Sequence, residues 1–260
     1  MTSRTPGTIA RGAARRIPKR PFAAALNTVL PVRFLRPVFR GWLSLVAAQP
    51  DRTRAMRELL ELNEDAYSWV DRAAITYDGG VHAKHRLIAY HDFFVERVRE
   101  GERVLDVGCG KGELAHDLVV RAGATVTGID LNTEYLKFAR ARYADPRLTF
   151  VEADALEYLP DEPFDVVILS NVLEHIEHRP ELLRRIVAQV HPSRVLIRVP
   201  VLARDWTVPL REELGLWHFS DATHFVEYDP ELFRRELGEA GLDVTELILV
   251  WGEIWAEARP

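Results

Sequence analysis

The sequence is poor in cysteine and lacks long apolar runs. Its single cysteine, Cys109, excludes an internal disulfide and a metal cluster built from several cysteines, which is typical of a reducing compartment. Arg33, Pro37 and Arg40 interrupt the longest apolar runs, which stay well below the ~20 residues that a membrane-spanning helix needs. The basic leader is followed by neither a strong apolar core nor a clear cleavage site, so we expect no signal peptide. These absences predict a cytoplasmic protein, with contact at the membrane face left open.

Acidic residues are scarce at the beginning of the chain. Residues 1–54 contain eleven Arg or Lys and one acid, Asp51, so the remainder must carry about −15 if the whole chain is −5. Residues 1–21 are rich in Arg, Pro, Gly and Thr and are expected to be unstructured. We assign residues 1–50 to a basic arm with interspersed apolar residues. It either binds anionic lipid or nucleic acid, or is partly disordered and docks its apolar stretch on the domain.

A glycine-rich segment, RVLDVGCGKGELA, runs from Arg103 to Ala115. Four residues with strand character lead into Gly108, Gly110 and Gly112, after which Glu113–Val120 has a helical pattern. Alternate glycines remove Cβ atoms, so a ligand can approach the backbone, and the following helix directs N–H groups and the positive end of its dipole toward it. The segment therefore predicts a site for a polar or anionic ligand.

An acidic residue follows at the spacing of a nucleotide-binding unit. The apolar run Ala124–Ile129 ends in Asp130, about 20 residues beyond the glycine turn, where a βαβ unit places an acid against a ribose diol. This spacing favours a nucleoside ligand. The nicotinamide fingerprint is GxGxxG, whereas this chain has GxGxG with Asp106 just ahead of it.

Four segments in order resemble the class I S-adenosylmethionine-dependent methyltransferases. LDVGCGKG resembles the family's first motif, and Asp130 its ribose-binding acid. VEADA (Val151–Ala155) resembles the adenine-binding segment, and FDVVILSNVLEH (Phe164–His175) resembles the fourth strand and the loop that faces the methyl group. The resemblance is tight over roughly Val104–Val199. It implies S-adenosylmethionine as cofactor, held by Asp106, Gly108, Cys109, Gly110, Gly112, Asp130, Leu131, Asp154, Ala155 and Ser170.

The apolar patterns alternate between strands and helices as in a doubly wound sheet. Strands are predicted at Arg103–Val107, Thr125–Ile129, Leu148–Val151, Asp165–Leu169, Arg194–Val199, Asp243–Val250 and Glu253–Ala256. Helices are predicted from Glu113, Thr133, Pro180 and Pro230. The fold class is therefore α/β, a Rossmann-like seven-stranded sheet with five parallel strands. The resemblance implies the antiparallel C-terminal hairpin, and a helical extension precedes the sheet.

Two helical patterns, Arg54–Tyr67 and Ala83–Val98, precede the glycine turn. We assign 51–100 to a helical cap and 101–260 to the cofactor-binding domain, with an acceptor-recognition loop at 200–229. In the resembled family such a leading helix often covers the cofactor and substrate. Four polar residues crowd into and just before the second pattern, and one of them is expected to face the site: His82, Lys84, His85 and His91. The alternative for each is that it is solvated or caps a helix end.

Residues after the fourth strand and in the long loop are candidates for the chemistry. A hydroxyl acceptor is a poor nucleophile at neutral pH and needs a base or a metal. In one interpretation His175 or His224 is the base, in a catalytic cluster with Asp221. In the other, Glu174, His175 and His224 bind a divalent cation such as Mg²⁺ that chelates a vicinal diol. As a third alternative, Glu174 and His175 only cap and orient the following helix.

The metal interpretation rests on a second resemblance. Small-RNA terminal 2′-O-methyltransferases and some quinone-pathway O-methyltransferases carry a Glu-x-x-Glu-His element, which NVLEH resembles, and SDATHFVEY resembles a second metal-binding element of the RNA enzymes. The first Glu is replaced here by Asn171, and the second element is not in the same register.

The leading hypothesis is O-methylation of a small-molecule hydroxyl, with a saccharide or glycan precursor preferred. Alternatives are a quinone-type O-methyltransferase, an RNA ribose 2′-O-methyltransferase and a non-catalytic cofactor-binding regulatory protein. The acidic balance outside the arm disfavours nucleic acid as the partner, because phosphate binding requires a basic face.

Overall fold

The computed structural model describes residues 31–79 and 81–260. The chain divides into two compact units, one ending at Glu61 and the other running from Leu62 to Pro260. The prediction that residues 1–21 are unstructured lies outside the described residues, as does the arm up to residue 30. Within the two described ranges, no helix combines the length and the apolar composition needed to cross a bilayer.

Two helices begin the described chain. Helix α1 (Val32–Ala47) follows Pro31, and helix α2 (Arg52–Tyr77) follows Asp51, whose carboxylate accepts the Arg54 N–H at 2.9 Å. This side-chain cap satisfies one of the free N–H groups at the start of α2. Helix α2 is longer than the predicted Arg54–Tyr67, because no glycine or proline interrupts the sequence before the turn at Asp78 and Gly79.

Seven strands in the second unit form one sheet. They are β1 (Arg103–Val107), β2 (Thr125–Asp130), β3 (Leu148–Glu152), β4 (Val166–Ser170), β5 (Arg194–Pro200), β6 (Asp243–Val250) and β7 (Glu253–Arg259). The helices among them are α3 (Ala83–Ile88), α4 (Tyr90–Val95), α5 (Glu113–Asp117), α6 (Thr133–Arg142), α7 (Arg179–Val190), α8 (Thr207–Glu213) and α9 (Pro230–Glu239).

The sheet order is β3-β2-β1-β4-β5-β7-β6, with β1 to β5 parallel and β7 antiparallel to both β5 and β6. The predicted α/β fold with a C-terminal antiparallel hairpin is therefore confirmed. Strand β1 continues to β2 on one side and pairs with β4 on the other, so the strand order reverses there. In open parallel sheets a ligand crevice forms outside the carboxyl ends of the strands at such a point.

The central strands are buried on both faces, as parallel strands covered by helices on both sides require. Leu105 and Val107 of β1 face one apolar cluster, which includes Leu183 of α7 and Phe233 of α9. Val104 faces the other cluster, which includes residues of α4, α5 and α6. Alternate residues of one strand thus pack into two layers, which hold the carboxyl ends of β1 and β4 rigidly.

Two predicted helices are wrong in detail. The single helix predicted at Ala83–Val98 is interrupted at Ala89, whose φ of 48° is left-handed, and forms α3 and α4. The helix predicted at Glu113–Val120 ends as α5 at Asp117 and continues as a π-helical turn, Leu118–Ala122. Apolar spacing predicted both segments as continuous because it does not report a one-residue change in backbone conformation.

Candidate active site

A cavity of about 230 Å³ lies at the carboxyl ends of β1 and β4. The glycine turn, the end of β4, strand β5 and the helices α3 to α5 all contribute to it. Its lining residues are His85, Tyr90, Asp106, Gly108, Cys109, Gly110, Lys111, Glu113, Leu114, Ser170, Asn171 and Arg198. Five of the predicted cofactor residues therefore meet in one cavity: Asp106, Gly108, Cys109, Gly110 and Ser170.

The glycines of the turn have different roles. Gly110 has a φ of 56°, and a Cβ built there would meet no atom within 4 Å, so its backbone is open to a ligand. Gly112 has a φ of 79°, and a Cβ there would lie 2.6 Å from the ring of Phe150 and 3.2 Å from the Cβ of Ala139. Gly110 thus leaves room in the cavity, whereas Gly112 allows the turn to pack on β3 and α6.

Asp106 provides a buried acceptor in this cavity. Its side chain is almost fully buried, and its Oδ2 atom has no hydrogen-bond partner within residues 31–79 and 81–260. Burial, together with the charge of Asp130, raises the pKa of Asp106 to about 7. A buried polar atom without a partner is costly, so this oxygen is suited to a ligand that carries N–H or O–H donors.

Asp130 stabilises the glycine turn from the end of β2. Its Oδ2 accepts the Gly110 N–H at 2.8 Å, and its Oδ1 accepts the Asn132 N–H at 2.7 Å. These bonds join the turn to the beginning of α6. The predicted cofactor residues Leu131, Asp154 and Ala155 follow β2 and β3, and they are not among the residues that line the cavity.

A second group of polar side chains lies after β4. Glu174 and His175 belong to a short 3-10 turn, Leu173–His175, and His224 belongs to the loop between α8 and α9. One donor atom from each lies within 4.8 Å of the others, and the two imidazole rings meet edge-on at 4.8 Å. The Phe225 N–H donates to the Glu174 carbonyl oxygen at 2.8 Å, which ties the loop to the turn.

Hydrogen bonds orient both imidazoles. Thr223 Oγ1 donates to Asp221 at 2.6 Å and therefore accepts from the Nδ1–H of His175, 2.9 Å away. The Nδ1 of His224 lies 3.0 Å from Glu227. Because each Nδ1 is engaged, each Nε2 is left with its lone pair for a proton or a cation. The predicted catalytic residue Asp221 thus acts on His175 through Thr223.

Glu227 stabilises the loop that carries His224. Its buried carboxylate accepts hydrogen bonds from the backbone N–H and the hydroxyl of Ser220. It also forms an ion pair with Arg204. Burial opposes its ionisation, but the hydrogen bonds from His224 and Ser220 lower the pKa of Glu227 below its usual value. An ionised Glu227 holds the Nδ1 proton of His224 in place.

Glu174 resembles Asp106 in its surroundings. It is 1% exposed, and its Oε2 atom has no hydrogen-bond partner in the described part of the chain. Burial raises the pKa of Glu174 to about 7. A cation or a donor at this oxygen would compensate for the missing partner.

Three further polar residues after β4 and in the long loop do not join the cluster of Glu174, His175 and His224. Tyr228 is fully buried and donates to Glu236 at 2.9 Å, so it stabilises the loop rather than facing the cavity. The ring of His218 packs against Phe219 instead of joining the His175 and His224 pair. Asn171 adopts a φ of 56°, a conformation that Asn tolerates better than most residues, including the Glu of the resembled element.

The four candidates of the second helical pattern separate in the structure. His85 lines the cavity, and burial, with the charge of Arg198 as the next cause, lowers the pKa of His85 to about 4. His82 accepts the Lys84 N–H at 3.0 Å and caps α3. His91 lies 2.8 Å from Asp117. Thus His85 is the one of these four candidates that lines this cavity.

Sequence reasoning missed Arg198 as a cavity residue. Its guanidinium lies 4.0 Å from the centre of the Tyr90 ring and forms two hydrogen bonds with Glu253, at 2.7 and 2.8 Å. Lys84 also pairs with Glu253. These cations lower the pKa of Glu253 to about 2 although burial opposes it. The sequence did offer one signal for it: Arg198 is a charged residue near the carboxyl end of the otherwise apolar strand RVLIRVP, where a parallel sheet places its ligand contacts.

Known proteins are similar to this chain in sequence and in fold. A family profile described as a methyltransferase domain matches residues 80–247. The mitochondrial ubiquinone biosynthesis O-methyltransferase of Schizosaccharomyces pombe is 31% identical over 205 residues, which cover 73% of this chain and 72% of that protein. The ubiquinone biosynthesis O-methyltransferase of Paracidovorax citrulli is 41% identical over 99 residues, 36% of this chain and 41% of that protein.

Solved structures show the same fold at low identity. A Haloferax volcanii complex between a methyltransferase activator and a methyltransferase superposes with a TM-score of 0.57 and 19% identity, over 72% of this chain and 95% of that chain. An S-adenosylmethionine-dependent methyltransferase from Archaeoglobus fulgidus superposes with a TM-score of 0.52 and 21% identity, over 68% of this chain and 94% of that chain.

Proposed function

The chain belongs to the class I S-adenosylmethionine-dependent methyltransferases, and from this premise we propose that it methylates a hydroxyl oxygen of a small-molecule acceptor. The observation that carries the proposal is the convergence of Glu174, His175 and His224 beside the end of β4. An amine or thiol acceptor would need little help in losing a proton, whereas a hydroxyl needs such a group.

The cofactor cavity supports S-adenosylmethionine as the methyl donor. The unpartnered oxygen of Asp106 is suited to accept from a ligand N–H, and the open backbone at Gly110 leaves room beside it. When bound, the cofactor supplies an electrophilic methyl group. The chain's own contribution is to hold the donor and acceptor in line and to exclude water from their contact.

The histidine pair supports removal of the acceptor proton. The Nδ1–H of His224 is held by Glu227, and that of His175 by Thr223, so either Nε2 can take a proton from a hydroxyl. Burial lowers the pKa of His175, which keeps the ring neutral at physiological pH and able to accept. An imidazole that becomes protonated is stabilised by the Asp221 or Glu227 carboxylate behind it.

The same three donors are also suited to a divalent cation. Glu174 would offer its unpartnered Oε2, and His175 and His224 one imidazole nitrogen each. Such a cation would lower the pKa of a hydroxyl bound to it. Two imidazoles with one carboxylate favour Mn²⁺ or Zn²⁺ over the Mg²⁺ expected from the sequence, because Mg²⁺ prefers oxygen ligands.

For the acceptor we propose a hydroxyl on a quinone-type ring, with a saccharide hydroxyl as the second candidate. The name of the Schizosaccharomyces pombe relative, a ubiquinone biosynthesis O-methyltransferase that this chain matches over 72% of its length, favours the first. The exposed Trp217 in the loop between β5 and α9 is consistent with stacking on either a ring or a sugar.

The proposal is tested by acceptor-dependent release of S-adenosylhomocysteine. The purified chain is incubated with S-adenosylmethionine and a catechol-type phenol, a monosaccharide series or an RNA oligonucleotide, first after treatment with a chelator and then with Mg²⁺, Mn²⁺ or Zn²⁺ added. We expect turnover with a hydroxyl acceptor and a product methylated on oxygen. Methylation on nitrogen, sulfur or carbon, or cofactor binding without any product, would contradict it.

A matched pair of variants tests the role of Glu174. Glu174→Gln keeps the shape of a buried side chain but removes its charge, whereas Glu177→Gln changes an exposed residue three positions later. We expect Glu174→Gln to lower turnover by roughly 10²-fold or more and Glu177→Gln to leave it unchanged. Equal effects of the two changes would exclude a direct role of the cluster.

A further inference from the structure

Helix α1 has an exposed apolar face from Phe34 to Leu45, and Val46 near its C-terminal end is buried. Large apolar side chains that are at least 46% exposed recur along this face at helical spacing: Phe34, Leu35, Val38, Phe39, Trp42 and Leu45. At 100° per residue these positions fall within about half of the helix circumference. A single exposed apolar residue is ordinary, but a continuous half-cylinder that includes three aromatic rings indicates an interaction surface.

The other half of α1 is basic. Arg33, Arg36 and Arg40 are three or four residues apart and therefore share one side, and helix α1 contains no acidic residue. The surrounding sequence has the same bias, because residues 1–50 contain nine Arg or Lys and no Asp or Glu. A helix of 16 residues with an apolar half and an Arg-rich half is typical of helices that lie in the plane of a membrane interface.

We propose that α1 docks this protein on an anionic lipid surface. Phe34, Val38 and Trp42 would enter the boundary between headgroups and acyl chains, while Arg36 and Arg40 would extend toward the lipid phosphates. The charge of the partner follows from the arginines, and its apolar interior follows from the aromatic half. A nucleic acid would satisfy the arginines but would leave the apolar half in water.

No residue of α1 lines the cavity, and lipid docking needs neither the cofactor nor an acceptor. The lipid proposal is therefore independent of the proposed methyl transfer. Because α1 belongs to the unit that ends at Glu61, its binding is testable without any acceptor or cofactor. Failure of the methyltransferase assay would therefore leave this proposal standing, and failure of lipid binding would leave the methyl transfer standing.

The test is flotation of the full chain with vesicles of two compositions. One set contains phosphatidylcholine alone, and the other includes about one quarter phosphatidylglycerol as the anionic lipid. We expect the chain to float with the anionic vesicles, to dissociate as salt is raised, and to float weakly with the neutral vesicles. Equal binding to both compositions, or binding to neither, would overturn the proposal.

Two tryptophans provide a matched pair of variants. Trp42 on the apolar half of α1 is 46% exposed, and Trp69 on α2 is 53% exposed. We expect Trp42→Glu to reduce flotation at least about tenfold, because the charge would have to enter the acyl boundary, and Trp69→Glu to change it little. Circular dichroism of both variants verifies that the chain is folded. Equal flotation of the two variants would overturn the role of α1.

The arginines have their own test. Arg36→Gln and Arg40→Gln are each expected to reduce binding to anionic vesicles by about fivefold, which corresponds to the loss of one basic residue near a charged surface, and to leave binding to neutral vesicles unchanged.

Sedimentation velocity addresses other partners. Self-association that Trp42→Glu abolishes, without vesicle binding, would assign the apolar face to a second copy, and salt-sensitive binding to RNA alone would assign the basic face to nucleic acid; either result would overturn the proposal.

Discussion

The carboxyl ends of β1 and β4 each carry a buried carboxylate with one unpartnered oxygen, Asp106 and Glu174, and burial raises the pKa of both to about 7. Their surroundings differ. Asp106 lies beside a glycine turn whose Gly110 N–H donates to the Asp130 carboxylate, whereas Glu174 lies beside two imidazoles that hydrogen-bond to side chains of a loop distant in sequence. The first region combines one carboxylate with backbone groups and open space, whereas the second combines one carboxylate with two imidazoles.

This difference separates binding from chemistry. Backbone groups and open space beside a buried acid are suited to binding a ligand through hydrogen bonds. A site with two oriented imidazoles can take a proton and stabilise the resulting charge. We therefore expect changes near β1 to alter cofactor affinity and changes after β4 to alter turnover.

The largest effect is expected from His224→Ala. Removing the imidazole should lower turnover of a hydroxyl acceptor by roughly 10²- to 10⁴-fold, while the dissociation constant for S-adenosylmethionine changes little, since His224 does not line the cofactor cavity. His175→Ala should act in the same direction. Turnover is measured by product release, and affinity by calorimetric titration.

The control for that experiment is His218→Ala, in the same loop but outside the histidine pair. It should retain turnover. If His224→Ala lowers turnover and cofactor affinity by the same factor, His224 has a structural role and the division between the two regions fails.

On the cofactor side, Asp130→Ala should weaken S-adenosylmethionine binding by roughly 10- to 100-fold, because the turn loses charge-assisted hydrogen bonds to Gly110 and Asn132. Turnover at saturating cofactor should change much less. Asp161→Ala, at an exposed position after β3, serves as the control. Undiminished affinity in Asp130→Ala would remove the turn from the cofactor site.

Variants of Gly110 and Gly112 distinguish a binding role from a packing role within the turn. Gly112→Ala should lower the free energy of unfolding by about 1–3 kcal/mol more than Gly110→Ala, because its Cβ would overlap the Phe150 ring. Both residues have positive φ, so the left-handed strain is common to the two variants and largely cancels. Gly110→Ala should instead cause the greater loss of cofactor affinity. Urea denaturation and calorimetry measure the two quantities, and identical behaviour of the variants would contradict the assignment.

The smallest effect concerns the pH dependence of stability without cofactor. Folded Asp106 keeps its proton up to about pH 7, whereas its ordinary value is 3.8. The folded state therefore binds more protons between these values, and the contribution of Asp106 to the free energy of unfolding falls as pH rises through that range. Asp106→Asn should lack this decrease, so its stability relative to the wild type should rise with pH. A difference that is constant with pH would contradict the buried, unpartnered state of Asp106.

Much of the fold and of the cofactor side was predictable from sequence because the signals are local. Apolar runs predicted strands β1 to β7 within a few residues at each end, and the alternate glycines with Asp106 indicated where the structure has a cavity. Strand periodicity and the conformational freedom of glycine act over a few residues, and they leave a readable pattern.

Tertiary structure decided which side chains meet in the cluster after β4. Glu174 and His224 are fifty positions apart, and the hydrogen bond from Phe225 to the Glu174 carbonyl that joins their segments has no counterpart in periodicity. The left-handed residue Ala89 turns α4 so that Tyr90 meets Arg198, and Arg198 is neutralised by Glu253 from a strand at the end of the chain. Local propensity determined which elements form, whereas long-range packing and hydrogen bonding determined which side chains meet, because those contacts depend on the three-dimensional arrangement of elements far apart in sequence.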